Sequence, residues 1–483
     1  MGEAPMALFE WMVLGLKIST SLISSGHALF FKRTPQSALG WVAVCILFPF
    51  VGPFFYFLFG INRVRNRARK LEVARPKHSR RTQNVPLTHD FLFRPEDLSQ
   101  TDPYAGIARI SDRLCPLSMV GGNEIQLLND GEAAYPSMLD AISGSQKRLF
   151  LSTYIFDTDE AGREFVRALG EAAERGVDVR VIVDGVGECY SIPRASTLLE
   201  ERRINHVRFL PPTLIPPMFN INLRNHRKIL VADGQAGFTG GMNIGQRHMV
   251  HKSPLRKRAS DTHFLFTGPV VRQLEQVFIE DWFFCTGQTI VPTKGRPVQT
   301  GDAVCRAVMD GPSDDDHRLS KIFAGAISAA TKQVQIMTPY FLPSGEMISA
   351  LQTTALRGVK VEIVLPGLNN LPYVQWASNK MLGELLKYGV QIFFQPPPFV
   401  HSKIFVVDGV YAQIGSANID PRSMLLNFEL NVEIYDRHFS AKLSEHISRA
   451  VRRSRRIRLE ELRERSGLAK TRDAIAWLFS PYL

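Results

Sequence analysis

Cysteine is scarce in this 483-residue chain: Cys45, Cys115, Cys189, Cys285 and Cys305 are odd in number, scattered, and form no C-x-x-C pair. Zinc modules need clustered thiolates and small secreted scaffolds need a disulfide framework, so both are excluded, and free thiols in a reducing compartment are the simplest reading. No carboxylate cluster suggests a divalent-ion site, and neither a metal nor another cofactor is expected. Acidic residues are in deficit, 46 Asp plus Glu against 58 Lys plus Arg, leaving a net charge of +12 that suits an anionic partner. Charge alone leaves nucleic acid and an acidic membrane both open. The first residues also lack the basic n-region of a cleaved signal peptide, and a second hydrophobic segment follows the first at once.

What is present at the N-terminus separates the two anionic partners. Ser37 to Gly60 is uncharged and aromatic-rich, long enough to span a bilayer, whereas the preceding Met6 to Phe31 is weakened by Glu10, Lys17 and His27. The short connection from Lys32 to Gln36 predicts a transmembrane helical hairpin. Arg63, Arg65, Arg67, Arg69 and Lys70 follow the second segment, against Lys32 and Arg33 in the loop, which puts the remainder of the chain on the cytoplasmic side of the membrane. A polar stretch with Pro76, Pro86 and Pro95 reads as a linker.

One motif occurs twice. Asn225-His226-Arg227-Lys228 continues through Asp233 to Gly240-Gly241-Met242-Asn243, and Val400-His401-Ser402-Lys403 continues through Asp408 to Gly415-Ser416-Ala417-Asn418. Both copies read H-x-K-x4-D-x6-G-[GS]-x-N. In an extended chain, residues two apart share a face, so His226 joins Lys228 and His401 joins Lys403. An imidazole that can attack or carry a proton, beside an ammonium that can hold an oxyanion, points to phosphate-ester chemistry. Asp-Gly after each apolar stretch signals a turn, and the glycines allow backbone to approach an anion closely.

A larger repeat surrounds the motifs. Lys147 to Gly187 and Lys332 to Gly367 each predict strand, helix, strand, with Tyr154 and Tyr340 after the first strand of each. The fold class is therefore α/β, with parallel-rich sheets covered by helices.

These residues resemble the phospholipase D superfamily, and the surrounding Tyr154-Ile-Phe-Asp-Thr-Asp, Asp261-Thr-His263, Glu280-Asp281-Trp282, Pro339-Tyr-Phe-Leu-Pro343 and Asn418-Ile-Asp-Pro-Arg-Ser423 resemble its bacterial cardiolipin synthases of two-span type. The resemblance runs from about residue 7 to the C-terminus. It implies two pseudo-symmetric halves sharing one site, with a transmembrane hairpin at 1–70, a linker at 71–105, halves at 106–300 and 301–440, and a basic helix and tail at 441–483. It further implies a phosphatidyltransferase that joins two phosphatidylglycerol molecules through a phosphohistidine and releases glycerol. A hydrolase of the same superfamily, phospholipase or nuclease, is the alternative. The membrane hairpin speaks against nucleic acid as partner, and anionic lipids of the bacterial cytoplasmic membrane are the expected surroundings.

Family habit assigns nucleophilic attack to His226 and acid/base duty to His401. Lys228, Lys403, Asn243 and Asn418 are expected to bind the non-bridging oxygens, with Ser416 a further donor. Asp233 and Asp408 complete the catalytic motif, although their place at turns fits a structural role at least as well. Glu429 lies 28 residues after His401 (401 to 429) and is expected to orient it; Asp261, 35 residues after His226 (226 to 261), holds the matching place in the first half. The family commonly has Trp-Arg before that aspartate, where this chain has Ala259-Ser260, behind an insert with Lys252, Arg256, Lys257 and Arg258. His206, His248, His251 and His263 are expected to be structural, and Trp282 to be core. The basic run Arg449 to Arg458 reads either as an amphipathic helix on acidic lipid or as a solvated charged helix.

Overall fold

The computed structural model describes residues 3–32, 35–61, 91–95, 104–212, 223–253, 255, 257–312 and 317–480. The chain divides into two compact units, residues 1–74 and 75–483. The basic flank 63–70, Arg33, Arg256 and most of the expected linker lie outside the described residues.

In the first unit a helix runs from Glu3 to Phe31, and a second from Pro35 stops at Leu47. Pro49 cannot donate to a continuing helix and clashes with the preceding turn. The chain bends through Phe50, whose φ is 72°, into a five-residue helix (Val51–Phe55) and one π-turn (Tyr56–Gly60). Gly52 lies so close to Val44 that a Cβ would sit 2.3 Å from its carbonyl oxygen. Tyr56 folds back to bond His27 at 2.7 Å, and Lys32 reaches the Gly60 carbonyl at 2.7 Å. The uncharged 24-residue stretch is therefore not one helix. Among the described residues, no helix is long and apolar enough to cross a membrane.

The second unit contains both expected repeats. Leu149, Phe150 and Leu151 are buried in the strand Arg148–Thr153. Asp159 then caps the helix Glu160–Glu174 by accepting from the Gly162 amide at 3.1 Å. Phe165, Val166 and Leu169 turn one face of that helix inward, each such burial contributing about 1.5–3 kcal/mol. Gly176, with φ 88°, ends the helix in a conformation that favours glycine, and Asp178–Asp184 runs parallel to Arg148–Thr153. The second half repeats this with Gln333–Met337, a helix Gly345–Leu356 capped by Ser344, Gly358 (φ 85°), and the parallel strand Lys360–Pro366.

Each motif forms an antiparallel hairpin beside its own repeat: Ile229–Ala232 with Ala236–Gly240, and Ile404–Val407 with Tyr411–Gly415. The strands are parallel within the strand-helix-strand repeats and antiparallel between them. Ala303–Asp310, opening the second half, pairs with both Met119–Asn129 and Glu429–Tyr435, so one sheet runs through both halves. Two apolar cores form, one per half. Trp282 is fully buried in the first half against Phe278.

The C-terminal basic run is not one helix. The helix Arg437–Arg453 buries Phe439, Leu443 and Ile447 against the sheet, and the chain then breaks at Ser454. Arg455–Arg456 pairs with Phe393–Phe394, and Ile457 is buried. Two of its arginines are in ion pairs, Arg452 with Glu445 at 2.7 Å and Arg455 with Glu461. A final helix, Gly467–Leu478, packs on Pro372–Leu386 with Lys380 over the Trp477 ring at 4.0 Å and Arg472 over Trp376 at 4.4 Å.

Candidate active site

The two hairpins bring His226 and His401 into the wall of one cavity of about 840 Å³, together with Asn243 and Asn418. Alternation at the strand entrance sorts the first motif by face. Asn225 and Arg227 turn inward to Asp281, at 3.2 and 2.6 Å, leaving His226 and Lys228 on the opposite side. Each motif lysine curls back onto the carbonyl of its own histidine, Lys228 at 2.6 Å and Lys403 in the same manner. Both lysines are buried, 2% and 4% exposed, and neither is among the residues lining that cavity.

The halves are exchanged at the histidines. His226 donates its backbone N–H to the Phe428 carbonyl at 2.9 Å, and its Nδ1 lies 3.1 Å from both Glu429 Oε2 and the Ser416 carbonyl. His401 donates its backbone N–H to the Ser260 carbonyl at 2.8 Å, and its Nδ1 lies 2.7 Å from Asp261 Oδ2. The expected pairings are thus reversed: Glu429 orients His226, not His401, and Asp261 orients His401. A pseudo-twofold arrangement sets the end of each hairpin against the strand of the other half, which sequence spacing within one half cannot register. Occupying Nδ1 with an acceptor leaves Nε2 of each ring with a lone pair toward the cavity.

The electrostatics of the two pairs differ. Burial would raise Asp261, but His401 and Lys403 overcome this and hold its carboxyl well below the usual range. Burial pushes Glu429 up to about 7, with Lys228 and Ser416 opposing. His226 is driven well below its ordinary value by burial and by Lys228 and Lys403. His401 falls to about 4 through burial and Lys403, with Asp261 pulling the other way. Lys228 and Lys403 are lowered by burial to about 7 and about 8. Burial thus disfavours charge on both rings and on both ammoniums, and a bound phosphate anion opposes that for the two lysines and for His401, which Asp261 backs.

Other residues expected in the site stand elsewhere or are already engaged. Asp233 and Asp408, both with φ 53°, lie at the hairpin turns, at the opposite end of the strand from the histidines. Asp233 accepts from the amides of Gln146, Lys147 and Arg148 at 2.8–2.9 Å, and Asp408 from those of Thr331, Lys332 and Gln333 at 2.7–2.8 Å. Neither reaches the cavity, so their catalytic reading is replaced by a structural one. Ser416 donates to Glu429 at 2.5 Å and accepts from the Leu430 amide at 3.0 Å, which removes it as a phosphate donor. The anion that the Gly240-Gly241 backbone admits is Asp261 itself: a Cβ on Gly241 would lie 2.4 Å from its Oδ1. Asn243 accepts from the Ile155 amide at 3.1 Å through its Oδ1, while Asn418 Oδ1 is buried without a partner among the described residues.

Sequence reading overlooked four cavity residues. Arg247 and Arg422 follow the motif asparagines at equal spacing, in Asn243-Ile-x-x-Arg247 and Asn418-Ile-x-x-Arg422, so a longer repeat carried the signal. Tyr154 and Tyr340 stand edge-on to His226 and His401, with ring centres 5.4 and 6.4 Å apart. His248 also lines the cavity, although a structural role was expected for it. Among the described residues, no group of three or more His, Cys, Asp or Glu is placed to hold a metal ion.

Two matched His–Lys hairpins converging on one cavity define a phospholipase D-like enzyme. The family described as "Cardiolipin synthase, PLD-like domain" matches residues 138–282 and 323–451, and "Phospholipase D-nuclease N-terminal" matches 21–60. The chain is 32% identical to cardiolipin synthase A of Pseudomonas entomophila over 98% of each chain. It is 32% identical to the cardiolipin synthase of Alkalihalophilus pseudofirmus, over 99% of this chain and 95% of that one. The phosphatidylserine synthase of Haemophilus influenzae superposes with a TM-score of 0.62 over 78% of this chain and 100% of its own, at 15% identity, and so shares the fold. The chain belongs to the cardiolipin synthase family.

Proposed function

We infer that this chain is a cardiolipin synthase that transfers a phosphatidyl group from one phosphatidylglycerol to another. The observation that carries the mechanism is the asymmetry of the exchanged His–carboxylate pairs. His226, neutral beside a carboxyl pushed up to about 7, is suited to attack as a free imidazole. His401, bonded at 2.7 Å to a firmly ionised Asp261, is better suited to carry a proton.

In the first step His226 Nε2 bonds to phosphorus as the bond to the glycerol oxygen breaks, and His401 Nε2 gives that oxygen its proton. In the second, the hydroxyl of another phosphatidylglycerol returns a proton to His401 while its oxygen displaces His226 from phosphorus. Cardiolipin and glycerol are the products, and both rings end as they began. In this reading Lys228, Lys403 and the amides of Asn243 and Asn418 stabilise the charge on the non-bridging oxygens, which each step increases.

A membrane location is part of the same reading. The first unit turns Phe9, Trp11, Leu22, Ile23, Phe30, Leu39 and Leu47 outward, an apolar surface suited to lipid. The basic residues from Arg63 to Lys70 support a cytoplasmic placement of the catalytic unit.

Incubating the full-length protein with labelled phosphatidylglycerol tests the reading. Cardiolipin and free glycerol are expected, and His226→Ala and His401→Ala should each abolish them. Phosphatidic acid as the sole product would identify a hydrolase instead, and full activity in either variant would refute the single shared site.

A further inference from the structure

The two lips of the cavity are built from matching segments with opposite chemistry. Ala259–Ser260 runs parallel to Phe399–Val400, in register Ala259 to Phe399 and Ser260 to Val400, and this pairing delivers Asp261 to His401. On the other side, Asn427-Phe428 plays the same part, and delivers Glu429 to His226. Counting back three and four residues from each carboxylate, the His401 side carries Arg258 and Lys257, while the His226 side carries Leu426 and Leu425. Lys257 and Arg258 are exposed and line the cavity; Leu425 and Leu426 do not. Arg258 spends one N–H on the Val250 carbonyl at 2.8 Å and has four others.

His248, at the start of the same loop, lines the cavity beside this lip. It is 2% exposed, with its ring against the backbone of Ala259. The loop thus presents two exposed cations to the cavity on the His401 side.

We propose that Lys257 and Arg258 form a subsite for the phosphodiester of the acceptor lipid. This rests on the assignment of His401 as the acid/base. The oxygen that leaves and the oxygen that attacks must both meet His401, so the incoming lipid enters from that side. Its own phosphodiester is separated from the attacking hydroxyl by one glycerol unit and carries a negative charge. Lys257 and Arg258 supply the counter-charge. A neutral alcohol entering by the same route has no such charge to place.

The test compares two reactions of the full-length enzyme in the same mixed micelles. One is cardiolipin formation from phosphatidylglycerol. The other is exchange of labelled free glycerol into phosphatidylglycerol, which uses the same donor cleavage and proton transfers with an uncharged acceptor. The Lys257→Gln/Arg258→Gln pair should lower the ratio of cardiolipin formation to exchange at least about fivefold, as loss of charge-assisted contacts at a partly exposed site implies. Arg258→Lys, which keeps the charge, should stay within about twofold of the parent. Equal loss of both reactions, or loss of neither, overturns the subsite while leaving the synthase intact. A parent enzyme that exchanges glycerol but makes no cardiolipin overturns the proposed function, and the acceptor subsite with it.

Discussion

At the scale of single residues, the chemistry was legible in the sequence and its wiring was not. H-x-K spacing placed His226 with Lys228, and His401 with Lys403, because alternation is a local property of an extended chain. Which carboxylate meets which ring depends on how two halves face each other, and Glu429 and Asp261 cross over. The exchange yields a directional prediction. Asp261→Asn keeps the size of the side chain but removes the charge that supports a protonated His401, so turnover should fall about 10²–10⁴-fold, the usual contribution of a general acid–base. Glu429→Gln, beside a ring that reacts as the neutral form, should cost at least about tenfold less than that. Offered a donor whose leaving group departs unprotonated, Asp261→Asn should recover most of the first step, read as a phosphatidyl adduct on His226 by peptide mass mapping. Equal losses in the two variants, or an adduct on His401, would reverse the roles. With lysine and asparagine as the proposed oxyanion donors, excess chelator should leave cardiolipin formation within about twofold of the untreated rate. Loss restored by one divalent ion would refute that electrostatic account.

At the scale of elements, periodicity located the strand-helix-strand repeats and both hairpins, since buried strands and an amphipathic helix leave strong local patterns. It did worse where a tertiary partner decides. Pro49 carried the information that the second N-terminal segment bends, but its uncharged length read as one helix. The basic run reads either as a lipid-bound or as a solvated helix, yet Ile447 and Ile457, interspersed among its arginines, fill the core of the catalytic unit. The motif aspartates show the same effect: a recurrent polar residue next to catalytic ones can serve the hairpin alone. Asp233 and Asp408 each tie a left-handed turn to three amides at the start of the neighbouring strand. Replacing either with Ala should lower stability by about 1–3 kcal/mol, the cost of leaving such donors to imperfect solvation. Activity below the melting transition should survive. Denaturant unfolding alongside the lipid assay checks this, and an inactive but fully stable Asp233→Ala would return the residue to the catalytic set.

At the scale of the whole molecule, the site concentrates buried imidazoles where the two halves share a wall. His248 and His263 are lowered by burial to about 3 and about 4, and His401 to about 4, against an ordinary 6.5. The folded rings resist protonation until the pH nears those values, while the unfolded chain takes its protons near 6.5. Across that window the unfolded state binds more protons, so stability is lost as pH falls. Glu429 acts with the opposite sign: its carboxyl, pushed up to about 7, holds a proton in the fold that the unfolded chain releases down to about 4.5. Asp281 and Asp420, each pushed up to about 6 by burial, act in the same direction below that pH, and the three carboxyls offset part of the lowered rings, His226 and His446 included. The folded catalytic unit should therefore weaken between pH 7 and pH 5 although its exposed charges barely titrate there. His263 gives a clean handle, because it is buried in the strand Thr262–Thr267 next to Asp261 but does not line the cavity. His263→Gln removes one titrating ring, and the drop in unfolding free energy from pH 7 to pH 5 should shrink by about 2 kcal/mol. Unfolding curves at the two pH values measure it directly. An unchanged drop in His263→Gln would mean that this ring takes up its proton at the same pH in the folded as in the unfolded chain, and that the shared wall tolerates more positive charge than its burial implies.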